Sequence, residues 1–213
     1  GGAANANYYL LKEFAKKNIE VDLITSSAKN VFEQENFSEK IRIYKLAVGK
    51  KDFHNWRAGE IIAWTWKAYL LAKKLAKEND YDLCHCWFGW PSGIIGYLLR
   101  KKISYLVALR GSDVPGYSKR LEFADLVLFR PLSKIVWSNA TFVIANSNTL
   151  RELAKKTSDC EIHIIPNGVD AKEFAQKKNY GSNALLCVSR LVERKGIKFL
   201  INAMQNIDAK LTI

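Results

Sequence analysis

Two hydrophobic periods alternate along this chain. Tyr8, Leu11, Phe14 and Ala15 recur at helical spacing, as do Ile61, Trp64, Ala68, Leu71 and Leu75 within a long stretch at 58–77. Short apolar runs with the length and content of strands separate such segments, at 21–25, 81–87, 103–109, 141–145, 161–165 and 184–188. Residues 41–48 instead alternate around Ile41, Ile43 and Leu46, the pattern of a half-buried or edge strand. Further helical segments are expected at 94–99, in two pieces of 121–138 divided at Pro131, after Asn146, and at 197–207. The one after Asn146 has Ser147 or Thr149 as its cap, with Glu152 completing a capping box.

This alternation implies crossover units and parallel sheets, an α/β architecture of two Rossmann-like domains facing across a cleft. Residues 1–176 form the first domain, and residues 177–213 form a linker and the start of a second. The chain opens at Gly1 without Met and ends at 211–213 in what reads as the opening of a strand, so a fragment is expected, with the first strand preceding Gly1.

Composition changes this picture little. The chain is 48% apolar and 25% charged over 213 residues, which fits a folded globular protein and excludes disorder. A net charge of +12 favours an anionic partner: a phosphorylated substrate, a membrane surface or nucleic acid. Lys and Arg are spread without the long basic run of a nucleic-acid arm. The uncharged stretch 83–99 is broken by His85, Pro91, Ser92 and glycines, so it reads as strand, loop and helix and not as a membrane span. The helix at 58–77 carries aromatic residues off its core stripe together with Lys67, Lys73, Lys74 and Lys77, and two readings fit it, packing on a sheet or lying on anionic lipid. The four cysteines, Cys84, Cys86, Cys160 and Cys187, have neither redox nor zinc-ligand spacing and read as free thiols. No acidic cluster suggests a metal, and none is expected.

Candidate chemistry gathers in loops that follow strands, where open α/β sheets bind ligands. Residues 189–196, S-R-L-V-E-R-K-G, place Arg190, Lys195 and Gly196 between a strand and a helix start, an arrangement that favours an anion. A solvated basic loop has the same local pattern. Gly1 and Gly2 open a helix where a phosphate or a sugar can approach the backbone, or a tight turn. Trp87 and Trp90 flank the loop after 81–87 and can line a cleft, while His85, inside that strand, reads as a satisfied core residue. In R-G-S-D-V-P-G-Y, residues 110–117, Asp113 can hold a sugar hydroxyl and Arg110 an anion beside Gly111, or Asp113 can cap a turn.

The order P-N-G-V-D at 166–170, then a strand, then R-L-V-E-R-K-G resembles the retaining, two-domain glycosyltransferases of family four. The resemblance implies a GT-B fold in which Asn167 and Gly168 close the first domain, and Arg190 and Lys195 hold the donor diphosphate and serve catalysis. Gly2 would join Asn167 and Gly168 at the donor, and Trp87, Trp90, Arg110, Gly111 and Asp113 would lie on the acceptor side. Two positions depart from the family: His85, Cys86, Trp87 stands where His-x-His is common, and Arg110 stands where the acceptor loop usually has His. Residues 140–153 resemble a structural region of the family.

The implied reaction moves a sugar from a nucleotide-diphosphate sugar to an acceptor hydroxyl with retention, in polysaccharide, lipopolysaccharide or glycolipid synthesis. The nucleotide sugar is a co-substrate, no cofactor or metal is expected, and the acceptor is a sugar or a lipid-linked sugar. A cytoplasmic location follows, with contact at the inner face of a membrane, and no nucleic-acid partner. The segment that selects the donor sugar is expected beyond Ile213, so the piece alone should be inactive. Two other classes fit parts of the pattern: a non-catalytic module docking on anionic membrane or nucleic acid, and a GT-B nucleotide-sugar epimerase.

Overall fold

The computed structural model describes residues 2–49, 56–117, 125–171, 183–189 and 191–213, with the backbone alone at 125, 126 and 194. The chain divides into two compact units, Gly1–Val169 and Asp170–Ile213. The domain boundary expected after residue 176 lies outside the described residues.

The first unit opens with α1 (Gly2–Lys16), β1 (Val21–Ser26), β2 (Glu33–Ser38) and β3 (Ile41–Leu46), which form a three-stranded sheet in the order β1-β3-β2. The half-buried or edge strand expected at 41–48 is in fact the central strand, parallel to β1 and antiparallel to β2. Ile41, Ile43, Tyr44 and Leu46 are buried, so both faces of β3 are covered. Its second neighbour, β2, reads E-Q-E-N-F-S and has almost no apolar signal of its own. Cross-strand charge assists the pairing instead: Lys45 meets Glu35 at 2.5 Å, and on the other side Arg42 grips Asp22 through two 2.7 Å hydrogen bonds.

A second sheet follows, built from β4 (Leu83–Trp87), β5 (Ser104–Leu109), β6 (Phe142–Ala145) and β7 (Ile162–Ile164). All its pairings are parallel. Its crossovers carry α3 (Ser92–Leu99), α4 (Arg130–Ser138) and α5 (Asn148–Lys155), while α2 (Ala58–Glu78) connects the two sheets. Among the described residues the first unit thus holds two hydrogen-bonded sheets, joined through helices. Trp64 and Ala68 of α2 pack in one buried cluster with Leu46 of β3 and with Ile95 and Leu99 of α3.

The core of the second sheet holds Tyr105, Val107 and Leu109 of β5, Val143 and Ala145 of β6, and Val136 and Trp137 of α4. Each large apolar side chain so buried contributes about 1.5–3 kcal/mol. Close packing is strictest at Gly96 of α3, where a Cβ would stand 2.6 Å from the Cys86 sulfur and 2.7 Å from the Tyr105 ring. Pro131 does not break a helix as expected; it lies in the first turn of α4, which continues from a π-helical turn at Asp125–Phe129. Ser147 caps α5 by accepting from the Leu150 amide at 3.3 Å. With Ser147 as the cap, Leu150 and not Glu152 stands at the third helical position, so the expected capping box does not form, and Glu152 pairs with Arg151 at 3.1 Å.

The second unit is one parallel crossover: β8 (Ala184–Leu186), a short 3-10 turn (Glu193–Lys195), α6 (Ile197–Ala203), a second 3-10 turn (Met204–Asn206) and β9 (Lys210–Thr212), which pairs with β8. Both the strand and the helix are shorter than the apolar pattern predicts, the helix tightening into 3-10 geometry at Met204.

Candidate active site

The turn after β5 is held from within by Asp113. One carboxylate oxygen accepts from the Gly111 amide at 2.8 Å and the Arg110 amide at 3.0 Å, and the other accepts from the Gly89 amide at 2.6 Å. The side chain is 1% exposed. Burial pushes its carboxyl above the ordinary range, and the backbone donors oppose that shift. Asp113 thus fastens the β5 loop to the β4 loop and does not present a free carboxylate to a sugar hydroxyl, which corrects the direct acceptor role and supports the turn-forming alternative. Gly111 is required twice in the same turn: its φ is +126°, and a Cβ there would lie 2.9 Å from the Tyr117 ring.

With its backbone fixed by Asp113, Arg110 lays its guanidinium over Trp87, the last residue of β4, 3.7 Å from the ring centroid. Its Nη1 donates to Asn167 Oδ1 at 2.6 Å. Asn167 lies just past β7, so residues from β4, β5 and β7 meet at the carboxyl edge of one sheet. Burial weighs against the Arg110 charge, and its Nε is buried without a partner among the described residues.

His85 also stacks on Trp87, with ring centroids 5.5 Å apart. Desolvation, and secondly the Arg110 charge, lower its pKa to about 4, so the imidazole is neutral near pH 7. The expectation of a satisfied core histidine needs correction, because Nε2 is buried with no partner among the described residues. His85 and Arg110 thus both contact the Trp87 ring, a grouping that sequence reasoning did not foresee, although β4 places His85 and Trp87 on one face by its two-residue period.

Trp90 stacks on Phe129 at 4.3 Å, so one face of its ring is taken by packing. Arg110, Gly111 and Tyr117 on one side, and Asn146, Ser147 and Thr149 at the start of α5 on the other, line a cavity of about 260 Å³. That is just below the roughly 300 Å³ at which sites for drug-sized ligands begin, so it suits a single sugar or phosphate group. A smaller hollow of about 150 Å³, lined by Thr141, Phe142 and Glu161 among others, lies at the amino edge of β6 and β7, the wrong edge for an open α/β sheet.

Gly2 is the exposed first residue of α1, which leads into the other sheet. Trp87, Arg110 and Asp113 meet at the carboxyl edge of the second sheet. Gly168 is exposed next to Asn167, with open space around it.

In the second unit, Lys195 is exposed at the end of its 3-10 turn, and Gly196, at φ +67°, turns the chain into α6. Both lie in the connection leaving the carboxyl end of β8. Arg190 lies outside the described residues. Sequence reading passed over Asp80-Tyr81-Asp82, whose Asp-x-Asp spacing stands exposed before β4, at the opposite end of that strand from Trp87. Among the described residues no group of three or more His, Cys, Asp or Glu could hold a metal ion. Nor is any described helix long and apolar enough to cross a membrane.

The profile of Glycosyltransferase Family 4 matches residues 1–173. An uncharacterized glycosyltransferase of Methanocaldococcus jannaschii is 27% identical over 149 residues, covering 69% of this chain and 40% of that protein. TuaC, a glycosyltransferase of Bacillus subtilis named for teichuronic acid biosynthesis, is 31% identical over 154 residues, covering 63% of this chain and 38% of its own. The chain thus spans about two fifths of the length of the curated relatives it matches. In fold it resembles sucrose-phosphate synthase from Thermosynechococcus elongatus, with a TM-score of 0.71 at 21% identity over 93% of this chain and 53% of that structure.

Proposed function

The chain belongs to Glycosyltransferase Family 4, and on that premise we propose that it contributes the acceptor-side domain of an enzyme that moves a sugar from a nucleotide-diphosphate donor to an acceptor hydroxyl with retention. The observation that carries this reading is the placement of Arg110 between Trp87 and Asn167, at the carboxyl edge of a parallel sheet and beside an open cavity. A cavity edged by a fixed cation, Arg110, and by the Tyr117 ring suits a sugar ring that bears an anionic group.

Trp87, Arg110 and Gly111 then form the acceptor side, with Trp90 supporting it and Asp113 holding its loops. Asn167, Gly168 and Gly2 are assigned to the donor. As the bond to the donor diphosphate breaks, negative charge grows on the leaving oxygen, and cations already aimed at it lower the barrier. Arg190 and Lys195 supply these cations. The acceptor is a sugar or lipid-linked sugar of a surface polymer or glycolipid, made at the inner face of the membrane. The Bacillus relative named for teichuronic acid biosynthesis supports a polymer pathway.

The test is incubation of the full-length protein with a panel of nucleotide-diphosphate sugars and lipid-linked or oligosaccharide acceptors. Release of nucleotide diphosphate coupled to a new glycoside with the donor's anomeric configuration supports the reading. Release of an epimerised sugar, or an inverted glycoside, overturns it.

A further inference from the structure

We infer that the outer face of α2 is a docking surface for anionic lipid bilayers. The inference stands on this helix alone and does not depend on the sugar-transfer reading. At 100° per residue, Trp64, Ala68 and Leu75, which are buried, fall on one side of α2, while Ile62, Trp66, Leu70, Lys73 and Lys77 fall on the opposite side, with Tyr69 at the border and packed partly against the core. Ile62 is 70% exposed, Trp66 62% and Leu70 47%. Isolated exposed apolar residues need no explanation, but three large ones in consecutive turns of a helix, at i, i+4 and i+8, form a contiguous patch.

Charge selects the occupant. Lys73 and Lys77 share the patch, with Lys74 beside it, and Lys73 lies 5.8 Å above the Tyr69 ring. Both acidic residues of α2 lie elsewhere: Glu60 is buried near the helix start, and Glu78 sits on Lys74's side of the helix, 3.9 Å from it. A two-fold contact between copies through this face would bring two sets of these lysines into one interface with no acidic residue of α2 on the face to neutralise them, whereas anionic headgroups do. Aliphatic and aromatic knobs ringed by lysine fit the interfacial depth of a bilayer, about 5–10 Å into the headgroup boundary. A net charge of +12 adds long-range attraction of the same sign. Lys67 is already engaged, donating to the Ala47 carbonyl at 2.6 Å, and is left out of the proposal.

The experiment is co-sedimentation of the protein with vesicles of phosphatidylcholine alone and of phosphatidylcholine with about two fifths phosphatidylglycerol, at low and high salt. The surface predicts binding to the anionic vesicles alone, weakening as salt rises. Trp66→Ser with Leu70→Ser should weaken it at least tenfold without moving the thermal midpoint, because both side chains point to solvent. Lys73→Gln and Lys77→Gln should each weaken it about fivefold, and they leave the apolar patch intact should the serine pair unfold. Undiminished binding by the lysine variants, equal binding to neutral vesicles, or a concentration-dependent dimer abolished by the same substitutions overturns the proposal.

Discussion

Arg110 holds its guanidinium 3.7 Å from the centroid of the Trp87 ring while the same group donates to Asn167. A flat, forked cation meets both demands, and a lysine keeps the charge without the fork. Stacking of this kind stabilises by about 0.5–2 kcal/mol. Arg110→Lys should therefore lower kcat/KM for the acceptor roughly tenfold. Arg110→Met should lower it further, since it removes the charge as well as the fork. Steady-state kinetics with the acceptor varied checks this, and parent-like values for Arg110→Lys would reduce the stack to packing.

Asp113 ties two loops together through the amides of Gly89, Arg110 and Gly111. Asp113→Asn presents an amide nitrogen to donors, so at least one buried N–H loses its acceptor. The expected loss is about 1–3 kcal/mol of stability, with more for Asp113→Ala. Urea denaturation of the two variants measures it. Unchanged midpoints would mean that the loops hold without the carboxylate.

The elements were largely legible because buried parallel strands and amphipathic helices carry strong periods, as in β5 and α2. β2 was not, because E-Q-E-N-F-S has no apolar rhythm and pairs with a strand already formed. Ile41 to Leu46 misled for the related reason that alternation was read as one wet face, whereas Tyr44 is buried with Ile43. At the site, Trp87, Arg110 and Asp113 were legible as residues of loops after strands. The inward turn of Asp113 was not, since an exposed carboxylate and a buried one that binds amides have the same local sequence. The contact of Arg110 with Asn167 spans 57 positions and has no local signal.

His85 provides a pH signature. Its pKa of about 4 in the fold lies below the ordinary 6.5, so between these values the unfolded chain binds more protons. Stability therefore rises with pH through that window, is fully present above about 6.5, and falls as acid approaches pH 4, by roughly 3 kcal/mol at most. His85→Phe keeps a ring on Trp87 and removes the titration. The difference in unfolding free energy between parent and variant, measured from pH 4 to 7, should slope upward with pH. A flat difference would show that the imidazole is not held neutral by its surroundings.

The assignment of Arg190 and Lys195 rests on charge that grows only as the donor bond breaks. Lys195 is exposed beside Gly196, whose left-handed backbone turns the chain into α6, so the side chain is not part of a core. Replacing Lys195 or Arg190 by Ala should leave the thermal midpoint unchanged and lower turnover strongly. One well-placed electrostatic contact to a leaving group is worth about 3 kcal/mol, on the order of a hundredfold in rate. Lys195→Arg should recover part of the loss, because a guanidinium fork does not replace a compact ammonium at one oxygen. The measurement is single-turnover transfer by the full-length enzyme at saturating donor, which separates the chemical step from binding. If both Ala variants turn over at the parent rate with the same thermal midpoint, the turn is a solvated loop and the cations that drive departure of the diphosphate lie elsewhere.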